Sequence, residues 1–139
     1  MNAQPEELEW PVLGWFEKAS HDLRAAQILI GDEEPLTDVI CFHCQQAAEK
    51  ALKGFLTFHG VEFVRVHDLR YLLNLCLAVE PGFGDIDRAI VILNDYAVEP
   101  RYPADLPIYY PIAEARRAID MAEEVVVFVQ GQFPPDAWE

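Results

Sequence analysis

Apolar residues recur along this chain at three- and four-residue intervals, the spacing of helices that bury one face. Trp15, Ala19, Leu23, Ala26 and Ile30 keep that period and predict a first helix over residues 10–30. Pro11 suits its first turn, where a missing N–H has no helical partner to lose. Gly31 and Asp32 end it. The second and longest helix is expected over residues 35–60, with Gly60 as its C-terminal stop. Residues 61–66 are rich in β-branched side chains and form an extended link. Leu69, Leu72, Leu73, Leu75 and Leu77 mark a third helix over residues 67–79, stopped by Pro81 and Gly82. Asp85 is placed to cap a fourth helix over residues 86–97. Pro100, Pro103, Pro107 and Pro111 break the chain into a loop, and the last helix follows over residues 111–129.

Five helices, mostly short links and prolines confined to element ends predict an all-α fold, an up-and-down antiparallel helical bundle without a sheet. With 139 residues the chain is one domain's worth, expected over residues 10–130 between tails at residues 1–9 and 131–139. A domain of this size buries roughly two thirds of its unfolded surface and stands without staples. The last helix sets a problem, because residues 125–129 are apolar in succession and cannot face water on every side. They are either buried or meet another chain. The proline-rich loop adds Tyr102, Ile108, Tyr109 and Tyr110, residue types that suit interfaces. Together these predict a homodimer, the commonest closed solution for surplus apolar surface.

Charge changes the picture next. The chain carries 24 acidic and 10 basic residues, a formal net charge of −14. Proteins that grip long stretches of nucleic acid need a basic face, so a long footprint is excluded, while a nucleotide, a short RNA site or a basic protein partner fits a local patch. No apolar run exceeds five residues, far short of the roughly 18 that a membrane span needs. Residues 1–9 are acidic, unlike the basic start of a signal peptide, which points to a cytoplasmic protein with no membrane partner. Cys41, Cys44 and Cys76, an odd number in apolar surroundings, read as reduced thiols.

The chemistry concentrates on the second helix. At about 100° per residue, His43, Gln46, Lys50 and Lys53 fall within an arc of roughly 80°. Ile40, Cys44, Ala47, Ala48, Ala51, Leu52 and Phe55 occupy a separate apolar arc. Two of the three lysines in the chain therefore share one stripe. Such a stripe holds a phosphate or an acidic loop, or is an ordinary solvated face in which Glu49 and Lys53 form an i,i+4 pair. Arg101, set between Pro100, Tyr102 and Pro103, presents a guanidinium suited to phosphate or carboxylate, or ties the loop to an acidic helix end. His67 caps or precedes the third helix, with Asp68 favouring its N-terminal turn; its functional reading is acid–base chemistry. Cys41, His43 and Cys44 show a zinc-like Cys-x2-Cys spacing without a second pair, so no metal is expected. His21 and His59 stand alone. No glycine-rich phosphate loop and no Ser, His and Asp constellation is present.

Four segments resemble the HEPN family. Trp15, Ala19, Asp22, Leu23, Ala26 and Leu29 resemble its opening helix. Residues 42–53, from Phe42 through His43, Gln46 and Glu49 to Lys53, resemble its most recognisable segment. His67-Asp68-Leu69 resembles the start of its third helix, and Tyr96 through Arg101-Tyr102-Pro103 the loop before the last one. The resemblance implies a helical bundle, commonly a homodimer, often encoded beside a minimal nucleotidyltransferase with which it forms a toxin–antitoxin-like pair. Some members are metal-independent ribonucleases marked by Arg, four to six residues, then His. This chain lacks that mark: Arg65 is too close to His67, and no His follows Arg101, Arg116 or Arg117.

Two functions follow. The first is a nucleotide- or partner-binding module that works with a nucleotidyltransferase, with His43, Gln46, Lys50, Lys53, His67, Arg101 and Tyr102 as binding residues and no cofactor. The alternative is a ribonuclease toxin, with Arg101 stabilising phosphate charge and His67 or His43 supplying acid–base chemistry across a dimer cleft.

Overall fold

The structure, a computed structural model, describes residues 8–97 and 110–138. Among them are five α-helices and no strand: α1 (Val12–Ile30), α2 (Thr37–Phe58), α3 (Leu69–Val79), α4 (Asp87–Asn94) and α5 (Ile112–Gln130). None of the described helices is long and apolar enough to cross a membrane.

The bundle is organised around α2, which packs against all four other helices. Its composition explains why. Ala47, Ala48, Ala51 and Gly54 are small, so neighbours approach its axis closely, and all four are buried. At Gly54 the approach is closest, because a Cβ there would lie 2.6 Å from the Phe16 ring of α1. Phe16 meets Gly54 late in α2, and Asp22 meets His43 early in it, so α1 and α2 run antiparallel. Gly60 ends α2 as expected. Its φ of 66° suits a residue without Cβ, the Val61 amide donates to the Leu56 carbonyl, and the Gly60 amide donates to Thr57.

His67 precedes α3 and Asp68 caps it, its carboxylate accepting from the Arg70 and Tyr71 amides. One local expectation needs correction. Asp85 does not cap the fourth helix. Residues Pro81–Ile86 form a tighter 3₁₀ turn first, Glu80 caps that turn, and α4 begins only at Asp87 and ends at Asn94. The link after Gly60 is irregular and doubles back along α2, which brings Phe63 and then His67 beside the middle of that helix.

The residues past Gly131, expected as a tail, fold back onto the core. Phe133 stacks against Phe16, Phe55 and Phe58, with ring centroids 5.3, 6.2 and 4.8 Å away. Trp138 covers Phe16 at 4.9 Å, and its indole N–H donates to the Gln130 carbonyl at 3.0 Å. This aromatic cluster also settles the apolar end of α5. Val125, Val126 and Val129 are buried, Phe128 packs on Phe83, and only Val127 of the five is exposed.

Phe133 therefore behaves as a core residue. Phe133→Ala is expected to destabilise the fold by roughly 3–5 kcal/mol in urea unfolding, as large core deletions do. A change within error of wild type would show that the segment past Gly131 is a tail after all.

Candidate functional site

The polar stripe on α2 is not a solvated face. It is anchored on two carboxylates that the rest of the fold encloses. Asp22 of α1 accepts from the Nδ1 of His43 at 2.8 Å through one oxygen and from the Lys50 ammonium through the other. Glu49 of α2 repeats the arrangement. One oxygen accepts from Nδ1 of His67 at 2.8 Å and the other from the Lys53 ammonium at 3.0 Å. Each buried acid is thus clamped between one lysine and one histidine.

Burial grades outward through these groups. The Glu49 and Lys53 side chains are 4% and 9% exposed, whereas His67 is 57% exposed. Asp22 is 11% exposed, Lys50 23% and His43 27%. Lys53 is further held over the rings of Trp15 and Phe63, 5.5 and 5.7 Å from their centroids, a favourable cation–π placement. Gln45, fully buried, donates to the His67 carbonyl at 2.9 Å and accepts from Gln46 at 2.8 Å, tying the doubled-back link to α2. Among the described residues no buried side-chain nitrogen or oxygen lacks a partner.

The geometry fixes the histidine tautomer. A carboxylate already clamped by an ammonium accepts hydrogen bonds and does not donate them, so Nδ1 carries the proton. Nε2 then carries the lone pair, and neither His43 nor His67 has a described partner there. The stripe consequently shows solvent two oriented imidazoles, while its lysines serve the interior.

Of the residues expected at the site, the structure brings together His43, Gln46, Lys50, Lys53 and His67. Arg101 and Tyr102 lie outside the described residues. The flanks of their segment are described. Tyr96 donates its hydroxyl to Glu114 at 2.7 Å, and its ring stacks edge-on against Tyr110 at 5.1 Å. Burial, with Glu114 alongside, raises the Tyr96 phenol well above its ordinary range. The Glu114 carboxylate also acts on the thiol of Cys41, which lies about 160° round α2 from His43. We accordingly place the site on the stripe itself. Spacing along α2 does not reveal Asp22 and Glu49 as its anchors. The available signal is an acid on an apolar arc: Trp15, Ala19, Asp22 and Ala26 share about 60° of α1.

The Cys41 and Cys44 pair is buried and reduced, and among the described residues no His, Cys, Asp or Glu group could hold a metal ion. Burial pushes the Cys41 and Cys76 thiols from 9.0 up to about 12 and raises Cys44 as well.

Comparison with known proteins gives the class. The family model for the HEPN domain matches residues 12–132. An archaeal HEPN homologue, ST0689, is 31% identical, with a TM-score of 0.70 over 87% of this chain and 96% of its own. The protein TT1696 from Thermus thermophilus is 33% identical, with a TM-score of 0.69 over 88% of this chain and 98% of its own. No curated protein gives a significant match. The chain belongs to the HEPN family.

Two measurements check the site. Lys53→Met strands a carboxylate that is almost fully buried, and should cost on the order of 3 kcal/mol in urea unfolding. Lys18→Met, at an exposed position, should cost nothing measurable; equal effects would refute the anchoring role. The thiols give a pH test. An acid whose pKa is raised by folding keeps its proton longer in the folded state, so its contribution is intact below 9.0 and is lost as pH climbs toward about 12. Stability should fall across that window, and less steeply in Cys41→Ala with Cys76→Ala; identical slopes would contradict it.

Proposed function

We propose that this chain is a HEPN-type nucleotide- and partner-binding module acting with a minimal nucleotidyltransferase in a toxin–antitoxin-like pair. The observation that carries this reading is the twin clamp on α2, which holds two imidazoles at fixed orientations on an otherwise acidic protein. Preorganised groups bind with little ordering cost, which is the property a recognition surface needs. The family resemblance supports the nucleotidyltransferase as partner, and the surface carries a local exception to the global charge at which such a complex can present a nucleotide.

A homodimer belongs to the same proposal. The apolar end of α5, Val127 excepted, is consumed within the protomer, and further exposed apolar surface lies near the other end of the chain. Trp10 and Leu13, at the start of α1, are 67% and 40% exposed. Light scattering should give about twice the 15.8 kDa chain mass at micromolar concentration. A mass staying at one chain across a dilution series would remove the dimer.

One observation favours a second reading. Imidazoles held by carboxylates suit proton transfer near neutral pH, so a ribonuclease built on His43 and His67 is the alternative. Against it stand the missing Arg-to-His spacing and the chain's acidity.

Calorimetry with ATP, run beside incubation with single-stranded RNA, separates the two. The binding module takes up ATP, loses at least tenfold in affinity as His43→Ala with His67→Ala, and leaves RNA intact. RNA cleavage that disappears in that variant would replace the binding reading with the nuclease.

A further inference from the structure

We propose that His43 and His67, through Nε2, are the groups that meet the phosphates of a nucleoside polyphosphate on this face, that they do so as imidazolium ions, and that Lys50 and Lys53 do not touch the ligand. This rests on the nucleotide-binding reading above and assigns its contacts. Cationic ammonium groups on one arc suggest phosphate ligands by themselves, and the structure argues otherwise.

The first reason is charge balance. Asp22 and Glu49 cancel Lys50 and Lys53, so the stripe is neutral while both imidazoles are neutral. The second is commitment. If Lys53 turned outward to a phosphate it would leave Glu49, 3% exposed, without its ammonium partner, and it would leave the Trp15 and Phe63 rings as well. A buried carboxylate stripped of its partner costs more than one surface phosphate contact returns. The third is what protonation does. An imidazolium keeps its Nδ1–H bond to Asp22 or Glu49, now charge-assisted, and gains an Nε2–H donor toward solvent. Positive charge thus arrives at the outer end of the network without any internal contact breaking.

The groups facing each imidazole are few. His43 faces Asp22 from α1 and shares that acid with Lys50, with the Phe42 ring beside it. Glu123 of α5 acts with Asp22 on neighbouring Cys44. His67 faces Glu49 and, through it, Lys53, with Asp68 adjacent in the chain and bonded to Asn94. A bound anion stabilises both imidazolium ions, so each histidine must hold its proton to higher pH with ligand than without. Affinity is then highest at low pH and is lost as pH rises through the ligand-bound titration.

The spacing selects the ligand class. His43 and the Glu49 anchor of His67 are six residues apart on α2, about 9 Å along its axis. Anchors spaced this far apart favour a ligand with more than one phosphate, and a polyphosphate chain is the class proposed to engage the pair.

The test is a histidine NMR titration of the wild-type chain with and without ATP, with His21 and His59 as internal references. ATP should raise the midpoints of His43 and His67 by roughly half to one pH unit, the effect of a close opposite charge, and leave the other two in place. AMP should bind at least tenfold more weakly than ATP. His43→Gln and His67→Gln keep an amide donor for the carboxylates but cannot ionise, and each should lose most ATP affinity while retaining the helical circular dichroism of wild type. If ATP binds and the His43 and His67 midpoints move no more than those of His21 and His59, this assignment is overturned while nucleotide binding stands. AMP binding as tightly as ATP overturns the polyphosphate class. If ATP does not bind anywhere between pH 5 and 8, the binding reading fails and this inference fails with it.

Discussion

The bundle depends on keeping two carboxylates ionised inside it. Asp22 and Glu49 sit where α1, α2 and the link before α3 meet, and neither tolerates burial alone. Each is made acceptable by one lysine and one histidine. Asp22 meets His43 and Lys50 across 21 and 28 residues and Glu49 meets His67 across 18, so these three contacts report tertiary order, whereas Glu49 with Lys53 is a local i,i+4 pair. Apolar packing gives the helices a reason to associate. The twin clamps specify which face of α1 meets α2 and where the link crosses, a role that buried polar groups perform when every member is satisfied.

The small residues of α2 and the clamps work together. Ala47, Ala48, Ala51 and Gly54 let α1 and the other helices come close, and close approach is what excludes water from Glu49. Excluding water in turn makes the pairing with Lys53 obligatory. Packing thereby determines the electrostatics of the site, and the electrostatics assigns the lysines to the interior and the imidazoles to the surface. A binding face built this way is rigid because its supporting groups are buried, not because its contact groups are.

Much of the architecture is legible from periodicity. Five helices, the stop at Gly60 and the stripe on α2 all follow from spacing along one element, information a linear sequence carries directly. What escapes it shares a different physical character. The pairing of Asp22 with His43 and Lys50, that of Glu49 with His67, and the packing of Phe133 and Trp138 onto the core depend on groups brought near only by folding. Phe133 lies two residues after Gly131 and precedes two prolines, a composition typical of a tail, and only the aromatic pocket of Phe16, Phe55 and Phe58 overrides it. Lys50 looks like a donor to a ligand because α2 viewed alone does not show Asp22 on α1, whereas the acid that holds Lys53, Glu49, is legible four residues before it.

The pairing of Tyr96 with Tyr110 has a consequence of another kind. These rings stand on either side of residues 98–109 and meet at 5.1 Å, with the Tyr96 hydroxyl bonded to Glu114 in the first turn of α5. The exit from α4 and the approach to α5 are therefore clasped independently of whatever lies between them. Closure entropy grows only with the logarithm of length, so doubling an insert between fixed ends costs roughly 0.6 kcal/mol. The clasp makes this junction a socket: segments of different length and sequence can be exchanged there while the helices beneath keep their positions, and specificity can diverge without renegotiating the fold.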